Sequence, residues 1–288
     1  MMRRGFVGVL ATVILVAMVS TVWHYLHIER QHPELTLSEI SGEVRLQRPN
    51  ANQIEPARGM LLLPSDRLAT GARSRAVLTL GRDTHVRMGP TSSIQVVAVD
   101  ESGVSLELED GALRATVRPE SGAVQIANQG RAVLATRGEF EVGVDEDILQ
   151  IRTLDGTASL SGLDQTRLET GQQATVIDRH ADVGPIPEEL LLAIDWPDTA
   201  QRTRGPSSIL SGTTAPRARV RLSGSFGERL LRADEEGYFE AEIPLQEGPN
   251  PVEVEATDAL GQRRHRVGSL QIRDTRGPTF RGGVEYDQ

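Results

Sequence analysis

The 288-residue chain contains no cysteine and no lysine, and only 3% of its residues are aromatic. Without cysteine it can form no disulfide, thiolate metal site, thiol nucleophile or acylated lipoprotein terminus. Without lysine it can perform no Schiff-base chemistry and lacks the phosphate-binding lysine of a P-loop. All 31 basic residues are therefore arginines. With so few aromatic rings, the core must be built from valine, leucine, isoleucine and alanine.

Acidic residues outnumber basic residues in the chain, 40 to 31. Its formal net charge is −9 at pH 7. This disfavours binding to duplex nucleic acid, because phosphate contacts need a basic face. We therefore expect no nucleic-acid partner, and no sequence motif indicates a cofactor.

The longest uncharged apolar run is FVGVLATVILVAMVSTVW, residues 6–23. A helix of this length spans about 27 Å, close to the ~30 Å hydrocarbon core of a bilayer. Arg3 and Arg4 before the run favour a cytoplasmic N-terminus, residues 1–5, by the positive-inside rule. The run predicts one transmembrane helix with the rest of the chain outside the cytoplasm. A cleaved signal peptide is the alternative, and it would also export the chain.

Between about residues 36 and 178, apolar residues recur with a period of two in short runs. Gly, Asp, Asn or Pro bounds each run, as is typical of short strands with one buried face. No helical pattern of useful length interrupts them, so we predict an all-β domain. The predicted core positions include Ala76, Leu78, Leu80, Val104, Leu106, Leu108, Leu113, Ala115, Val117, Phe140, Val142, Val144, Leu149 and Ile151.

A weak internal echo runs through this region. Gly42, Gly111 and Gly156 each precede an alternating run, and the motif at 68–71, Leu-Ala-Thr-Gly, recurs at 168–171 as Leu-Glu-Thr-Gly. Glycine permits positive φ, and threonine can close a turn through its hydroxyl. The unequal spacings argue against a regular solenoid. We expect a stack of short antiparallel hairpins, solenoid-like or jelly-roll-like.

The ordered motifs resemble the FecR domain, the extracytoplasmic domain of a large bacterial family. The resemblance spans about residues 37–178 and is carried by SGEVRLQR, LLLPSDRLATGARSRAVLTL, DTHVRMGPTSSIQV, LELEDGALRATV, AVLATRGEFEV and LDGTASL…LETGQQATV. The chain departs from the family at Ser65, where glycine is usual before the aspartate, and at Glu139, where threonine is usual. The resemblance implies a bacterial protein, and with the apolar run it predicts an inner-membrane anchor and a periplasmic domain.

The alternation breaks at residues 179–206 and resumes at 207–274. Pro187 suits the first turn of a helix, and Trp196 before a proline would end it, so we predict a linker with a short helix. The segment 207–274 resembles bacterial immunoglobulin-like modules, particularly domain B of glucodextranase. This resemblance implies a small Ig-like β-sandwich, and residues 275–288 are expected to form a mobile tail.

Three arginines that alternate along one predicted strand, Arg217, Arg219 and Arg221, are the candidate ligand-binding residues. Together they could bind an anionic polysaccharide. The alternative is structural, because glutamates such as Glu253 and Glu255 lie on a neighbouring predicted strand. Such cross-strand pairs stabilise a sheet by about 0.2–1 kcal/mol each.

Other clusters predict neither a metal site nor a catalytic centre. His24 and His27 could share a helix face but lack further ligands. The carboxylates of residues 145–147, Asp-Glu-Asp, do not have the spacing of a calcium loop and are interpreted as an acidic hairpin tip. Ser92 follows His85 without the context of a nucleophile elbow. We therefore expect a protein that is not an enzyme.

Two functions remain open. The first is a membrane-anchored protein that binds or assembles with an envelope protein, or senses the state of the envelope. The alternative is an envelope polysaccharide-binding protein that uses the Ig-like module. The FecR resemblance also implies regulation of a sigma factor, but that role needs a cytosolic domain, which residues 1–5 are not expected to supply.

Overall fold

The computed structural model describes residues 33–49, 54–162, 166–178, 180–196 and 206–271. Within these ranges the chain forms 22 β-strands and a single 3₁₀ turn, with no α-helix. The all-β class predicted from the alternation is therefore confirmed.

The predicted transmembrane helix needs correction. Residues 6–23 lie outside the described residues, as do the expected cytoplasmic N-terminus 1–5 and the expected tail 275–288. Across the ranges that are described, no helix is both long enough and apolar enough to cross a membrane. Within the described ranges the fold class is accordingly all-β, and no membrane helix is among its elements.

Fifteen strands form the first module, which is one continuous sheet folded into two layers. They are β1 (Leu35–Ser41), β2 (Val44–Gln47), β3 (Met60–Leu61), β4 (Arg67–Thr70), β5 (Arg75–Leu80), β6 (Thr84–Met88), β7 (Ser93–Asp100), β8 (Gly103–Val117), β9 (Ala123–Asn128), β10 (Arg131–Ala135), β11 (Gly138–Asp145), β12 (Ile148–Ser161), β13 (Thr166–Glu169), β14 (Gln172–Ile177) and β15 (His180–Pro185).

The two layers share the long strands β8 and β12. Layer 1 has the order β15-β14-β12-β11-β8-β6-β5-β1-β3, and layer 2 has the order β2-β4-β7-β8-β9-β10-β12-β13. Residues 103–107 of β8 pair in parallel with 123–127 of β9. The stack is therefore not built of antiparallel hairpins alone, which corrects that part of the expected architecture.

The echoed glycines mark corners where the chain passes between the layers. Residues before Gly111 pair with β7 in layer 2, and residues from Gly111 onward pair with β11 in layer 1. Gly156 divides β12 in the same way, and Gly42 separates β1 from β2. All three have positive φ, +80° at Gly42, +89° at Gly111 and +83° at Gly156. The repeated glycines thus mark repeated bends, because strands that pass from one sheet to another do so at bends.

The threonine of each Leu-x-Thr-Gly motif forms hydrogen bonds with backbone groups at these bends. The Thr70 hydroxyl donates to the Gly89 carbonyl oxygen at 2.7 Å and accepts from the Ser92 N–H at 2.9 Å. The Thr170 hydroxyl donates to the Gly156 carbonyl oxygen at 3.2 Å and accepts from its N–H at 3.0 Å. Each threonine therefore ties the chain to a neighbouring bend as it passes from layer 2 to layer 1.

The hydrophobic core lies between the two layers. All fourteen core positions predicted above are at most 3% exposed, which confirms the period of two. In β12 the outward residues are buried as well, since Gln150 is 5% and Arg152 is 2% exposed. Something must therefore cover the outer face of layer 1 at this point.

The second module has seven strands in two sheets. The strands are β16 (Leu192–Asp195), β17 (Ser207–Thr214), β18 (Arg219–Gly224), β19 (Gly227–Arg232), β20 (Tyr238–Pro244), β21 (Pro249–Thr257) and β22 (Arg263–Gln271). The sheets have the orders β16-β17-β20 and β19-β18-β21-β22, and they share one hydrophobic cluster that includes Leu210, Val220 and Phe239.

The short helix predicted in the linker is wrong. Residues Leu192–Asp195 form strand β16, which pairs antiparallel with β17 from Leu192 opposite Thr214 onward. Leu190 and Leu192 are 6% and 4% exposed and join the core of the second module. This i, i+2 spacing suits a strand, and pairing with β17 overrides the local helix-start signal. Upstream, β15 extends layer 1 to Pro185.

Candidate functional site

The turn between β21 and β22, residues 258–262, packs on the outer face of layer 1. A Cβ added at Gly143 would overlap the backbone of Ala259, at 2.7 Å from its carbonyl carbon, and would lie 2.9 Å from Leu260 Cδ2. Glycine inside a strand often marks such a close approach of another backbone. This turn is what covers the outward residues of β12, so the two modules are docked here.

A buried ion pair lies at the centre of this junction. Arg152 Nη2 is 3.0 Å from Asp258 Oδ2, and both side chains are 2% exposed. Arg152 Nε also donates to Gln173 Oε1 at 3.1 Å, and Asp258 Oδ1 accepts from the Gln262 N–H at 2.8 Å. Burial raises the pKa of the Asp258 carboxyl, although the Arg152 charge acts in the opposite direction. Removing one partner would strand the other charge, which typically costs about 3–5 kcal/mol.

The predicted acidic hairpin tip forms the second contact between the modules. Asp145 Oδ2 is 2.9 Å from Arg219 Nε, and Asp145 Oδ1 is 3.0 Å from Arg232 Nη2. Arg232 also lies 3.1 Å from Glu146 Oε1. The Asp145 side chain is 11% exposed, so these charges are partly shielded from water. The tip therefore holds arginines of the second module.

All three arginines proposed as ligand-binding residues are paired with carboxylates. Arg219 meets Asp145 as described, and Arg217 Nη2 lies 2.7 Å from Glu235 Oε1. Arg221 Nη2 lies 3.3 Å from Glu255 Oε1, its neighbour across β18 and β21. The geometry favours the structural alternative for this set, with one difference. One of the partner carboxylates, that of Asp145, belongs to the first module, whereas only carboxylates on a neighbouring strand were expected from the sequence.

A groove of about 610 Å³ opens beside the junction on layer 1. Arg73 and Arg75 line it from the corner that leads into β5, and Arg87 and Arg114 line it from β6 and β8. Leu260 of the docked turn lines it as well. Both modules thus contribute to one concave, arginine-rich surface.

Arg114 is the one neutralised member of this set. Its Nε lies 2.8 Å from Glu139 Oε1, and its Nη1 lies 3.4 Å from Glu141 Oε1. The hydrogen bond from Arg114 lowers the pKa of the Glu139 carboxyl. Arg87 stands directly opposite Arg114 in the register of β6 and β8. Like charges opposite each other destabilise a sheet, so an anion beside Arg87 would be favoured.

Arg73, Arg75 and Arg87, named the groove arginines from here, form no ion pair within 4 Å in the part of the chain that the structure describes, although the charge of Arg87 contributes to the lowered pKa of Glu139. All three are exposed. Sequence reasoning missed them because Arg75 and Arg87 lie on two successive strands and Arg73 lies in the turn before the first of them, so that no alternating ladder appears. The available signal was an outward arginine on each of two neighbouring hairpin strands, in ARSRAV and HVRM.

The remaining predicted clusters do not assemble into a reactive site. His85 Nδ1 lies 3.1 Å from Thr79 Oγ1, and the Ser92 hydroxyl donates to the Ala112 carbonyl oxygen at 3.1 Å. Both groups therefore have structural partners. No group of His, Asp or Glu side chains in the described ranges could hold a metal ion. His24 and His27 lie outside those ranges.

A family model described as "FecR protein" matches residues 66–159 of this chain. The matched segment lies inside the region that resembles the FecR domain and contains the four arginines that line the groove. No curated protein matches the chain.

Solved structures of other proteins are similar to this chain in part. Two are crystal structures, at 2.50 and 1.65 Å resolution, of a protein from Parabacteroides distasonis described as an anti-sigma factor; they are 16% and 15% identical, with a TM-score of 0.36. Each alignment covers 42% of this chain and 59% of the other. A tetra-tandem repeat from the extending region of a large adhesion protein is 15% identical, with a TM-score of 0.24, over 83% of this chain and 67% of the other. At such low TM-scores these alignments do not support a shared fold, and none of the comparisons supports the likeness to the glucodextranase module.

Proposed function

We propose that this chain is a non-enzymatic binding or sensing protein of the bacterial cell envelope, and that the groove on its first module holds a protein partner. The observation that carries the proposal is the groove of about 610 Å³ with its three groove arginines. The match of the FecR family model to residues 66–159 supports it, because that segment contains them all.

The lining of the groove favours a protein over a polysaccharide. Sugar-binding sites commonly present an aromatic ring against a pyranose face, and among the described residues that line this groove none is aromatic. Pro90 and Leu260 instead provide aliphatic surface beside the charges. The arginines that would have carried polysaccharide binding in the second module, Arg217, Arg219 and Arg221, are paired with carboxylates.

The proposal places the described modules in the periplasm. The FecR resemblance supports this location, since that domain is extracytoplasmic. Protease added to intact spheroplasts should degrade the modules, while a cytoplasmic marker protein in the same cells survives. Survival of residues 40–270 together with the marker would contradict the location.

Photo-crosslinking in cells tests the partner. A photoreactive residue at Ala72, which lines the groove without contributing charge, should yield one defined protein adduct. The matched control is Arg167, which is exposed on β13, in layer 2. The adduct at position 72 should disappear when Arg75 and Arg87 become Glu. Identical adducts from positions 72 and 167, or a glycan adduct alone, would contradict a protein-binding groove.

A further inference from the structure

We propose that the groove binds an extended, acidic segment of the partner, with carboxylates on alternate residues that meet the groove arginines. This deepens the proposed function and rests on it. The inference follows from the register of β5, β6 and β8, the charges already neutralised there, and the contribution of the second module to the groove.

The register places the groove arginines at the spacing of an extended chain. Val77 of β5 lies opposite Arg87 of β6, and Arg75 is two residues from Val77 on the same face. Arg75 and Arg87 are therefore diagonal neighbours, about 7–8 Å apart at the backbone. Residues i and i+2 of an extended segment lie about 6.6–7 Å apart and point the same way. Two carboxylates on alternate residues would thus match these two arginines.

The charge balance at the groove favours carboxylates. Arg114 is already hydrogen-bonded to Glu139, and Glu141, which also lines the groove, lies 3.4 Å from Arg114. Arg73 and Arg75 have no carboxylate partner within the described ranges, and Arg87 acts on Glu139 only through its charge, in a chain whose net charge is −9. Guanidinium groups bind carboxylates in a bidentate fork, and such charge-assisted bonds are stronger than neutral ones.

The size and lining argue for a polypeptide segment over a small anion. A groove of about 610 Å³ is far larger than an inorganic phosphate needs. Pro90 is exposed and Leu260 is half-buried beside the arginines. These two side chains provide apolar surface for the methylene groups of glutamates, while the arginines meet the carboxylates.

Because Leu260 belongs to the turn docked at Gly143, the groove is complete only when the modules are docked. Ligand binding and docking should therefore favour each other. Gly143→Val, which blocks the turn, is expected to weaken binding of an acidic segment. Gly184→Ala is the matched control, since a Cβ at Gly184 would meet nothing within 4 Å. Unchanged binding by a Gly143→Val variant whose modules have separated would overturn the contribution of Leu260.

The test uses the full chain and two fluorescent peptides of equal length, Glu-Val-Glu-Val-Glu and Gln-Val-Gln-Val-Gln. Fluorescence anisotropy should show the glutamate peptide binding at least about tenfold more tightly than the glutamine peptide, with weaker binding as salt rises. The triple variant Arg73→Ala, Arg75→Ala, Arg87→Ala should lose at least about tenfold in affinity, whereas Arg167→Ala should bind like the wild type. Because the groove arginines are exposed, the triple variant should keep its melting temperature.

Three results would overturn the inference. They are equal binding of the two peptides, full affinity in the triple variant, and tighter binding of polygalacturonate fragments of matched charge than of the glutamate peptide. Inorganic phosphate at the same charge concentration should compete weakly, and strong competition would indicate a simple anion site instead. If the crosslink from Ala72 captures a partner but the peptides bind equally, the protein-binding function stands and this inference fails.

Discussion

Two sets of arginines lie close together in this molecule and have opposite surroundings. At the module junction, Arg152, Arg219 and Arg232 each have a carboxylate oxygen within 3.0 Å. Arg73 and Arg75 in the groove have no such partner within the described ranges. Both sets consist of arginines. The fold places carboxylates beside the junction arginines but places none within ion-pair distance of Arg73 and Arg75 in the described ranges. Whether a carboxylate lies beside an arginine in the folded structure therefore indicates its role better than the clustering of arginines along the sequence does.

The largest effect is expected at the centre of the junction. Arg152→Ala would leave Asp258 as an unpaired buried charge and should lower the free energy of unfolding by about 3–5 kcal/mol. Urea denaturation measures this. Arg167→Ala, an exposed arginine on β13, should change it by less than about 0.5 kcal/mol.

The double variant Arg152→Met, Asp258→Leu sharpens this result. Replacing a buried pair with apolar side chains of similar volume is often neutral or stabilising. It should therefore recover most of the stability that Arg152→Ala loses. A double variant as unstable as the single one would show that the cost does not come from the stranded carboxylate.

Gly143→Val tests docking without replacing a charged residue. The new side chain would overlap the backbone of Ala259, so the second module should be displaced at a cost of about 1–3 kcal/mol. Small-angle scattering should show a larger radius of gyration for this variant. The control Gly184→Ala should leave the radius unchanged, and an unchanged radius for Gly143→Val would contradict the docked arrangement.

The ion pair between Arg48 and Asp66, inside the first module, makes a pH-dependent contribution to stability. Asp66 accepts from Arg48 Nε at 2.8 Å, from Arg48 Nη2 at 2.7 Å and from the Leu63 N–H at 2.9 Å. Burial acts to raise the pKa of the Asp66 carboxyl, but the hydrogen bonds from Arg48 and Leu63 outweigh it, and the pKa is lowered. The stabilisation is therefore fully present above the unfolded-state pKa of about 4 and lost as pH falls through the lower folded-state pKa.

Asp66→Asn measures that contribution. At pH 7 the variant should be less stable than the wild type by about 1–3 kcal/mol, because a charged, buried hydrogen-bond acceptor is lost. The difference should shrink below about pH 4 as the wild-type carboxyl becomes protonated. Denaturation curves at several pH values check this, and a constant difference down to acid pH would contradict the lowered pKa.

The smallest effect is expected next to that carboxylate. Ser65, at a position where the FecR family usually carries glycine, has a φ of +72°. Because positive φ strains a residue with a Cβ, Ser65→Gly should raise the melting temperature, by the equivalent of about 0.5–1 kcal/mol. Ser105→Gly, at the third residue of β8, should have the opposite sign, since glycine weakens a strand by a similar amount. A destabilised Ser65→Gly variant would contradict the interpretation that serine at this position strains the backbone.

Much of the fold was predictable because local pattern and tertiary packing agree. Alternation identified the core of the first module, and the echoed glycines identified corners that demand positive φ. The helix near Pro187 could not be excluded from sequence, because pairing of β16 with β17 decides it. The FecR resemblance was predictable from ordered motifs, as the family match over residues 66–159 bears out.

The candidate site was less predictable than the fold. Both the acidic tip at 145–147 and the arginine ladder at 217–221 were visible as motifs, but nothing local indicates that they face each other. The groove arginines become neighbours only through the register of β5 and β6. Contacts between distant segments depend on topology, which composition and periodicity do not encode.

The role of the groove arginines is tested most directly by titrating the Glu-Val-Glu-Val-Glu peptide against two triple-alanine variants side by side. One variant replaces Arg73, Arg75 and Arg87, and the other replaces Arg67, Arg167 and Arg221, which lie outside the groove and the docking contacts. We predict that the groove variant loses at least about tenfold in affinity, while the control variant stays within about threefold of the wild type. Full affinity in the groove variant, or an equal loss in both variants, would contradict the account.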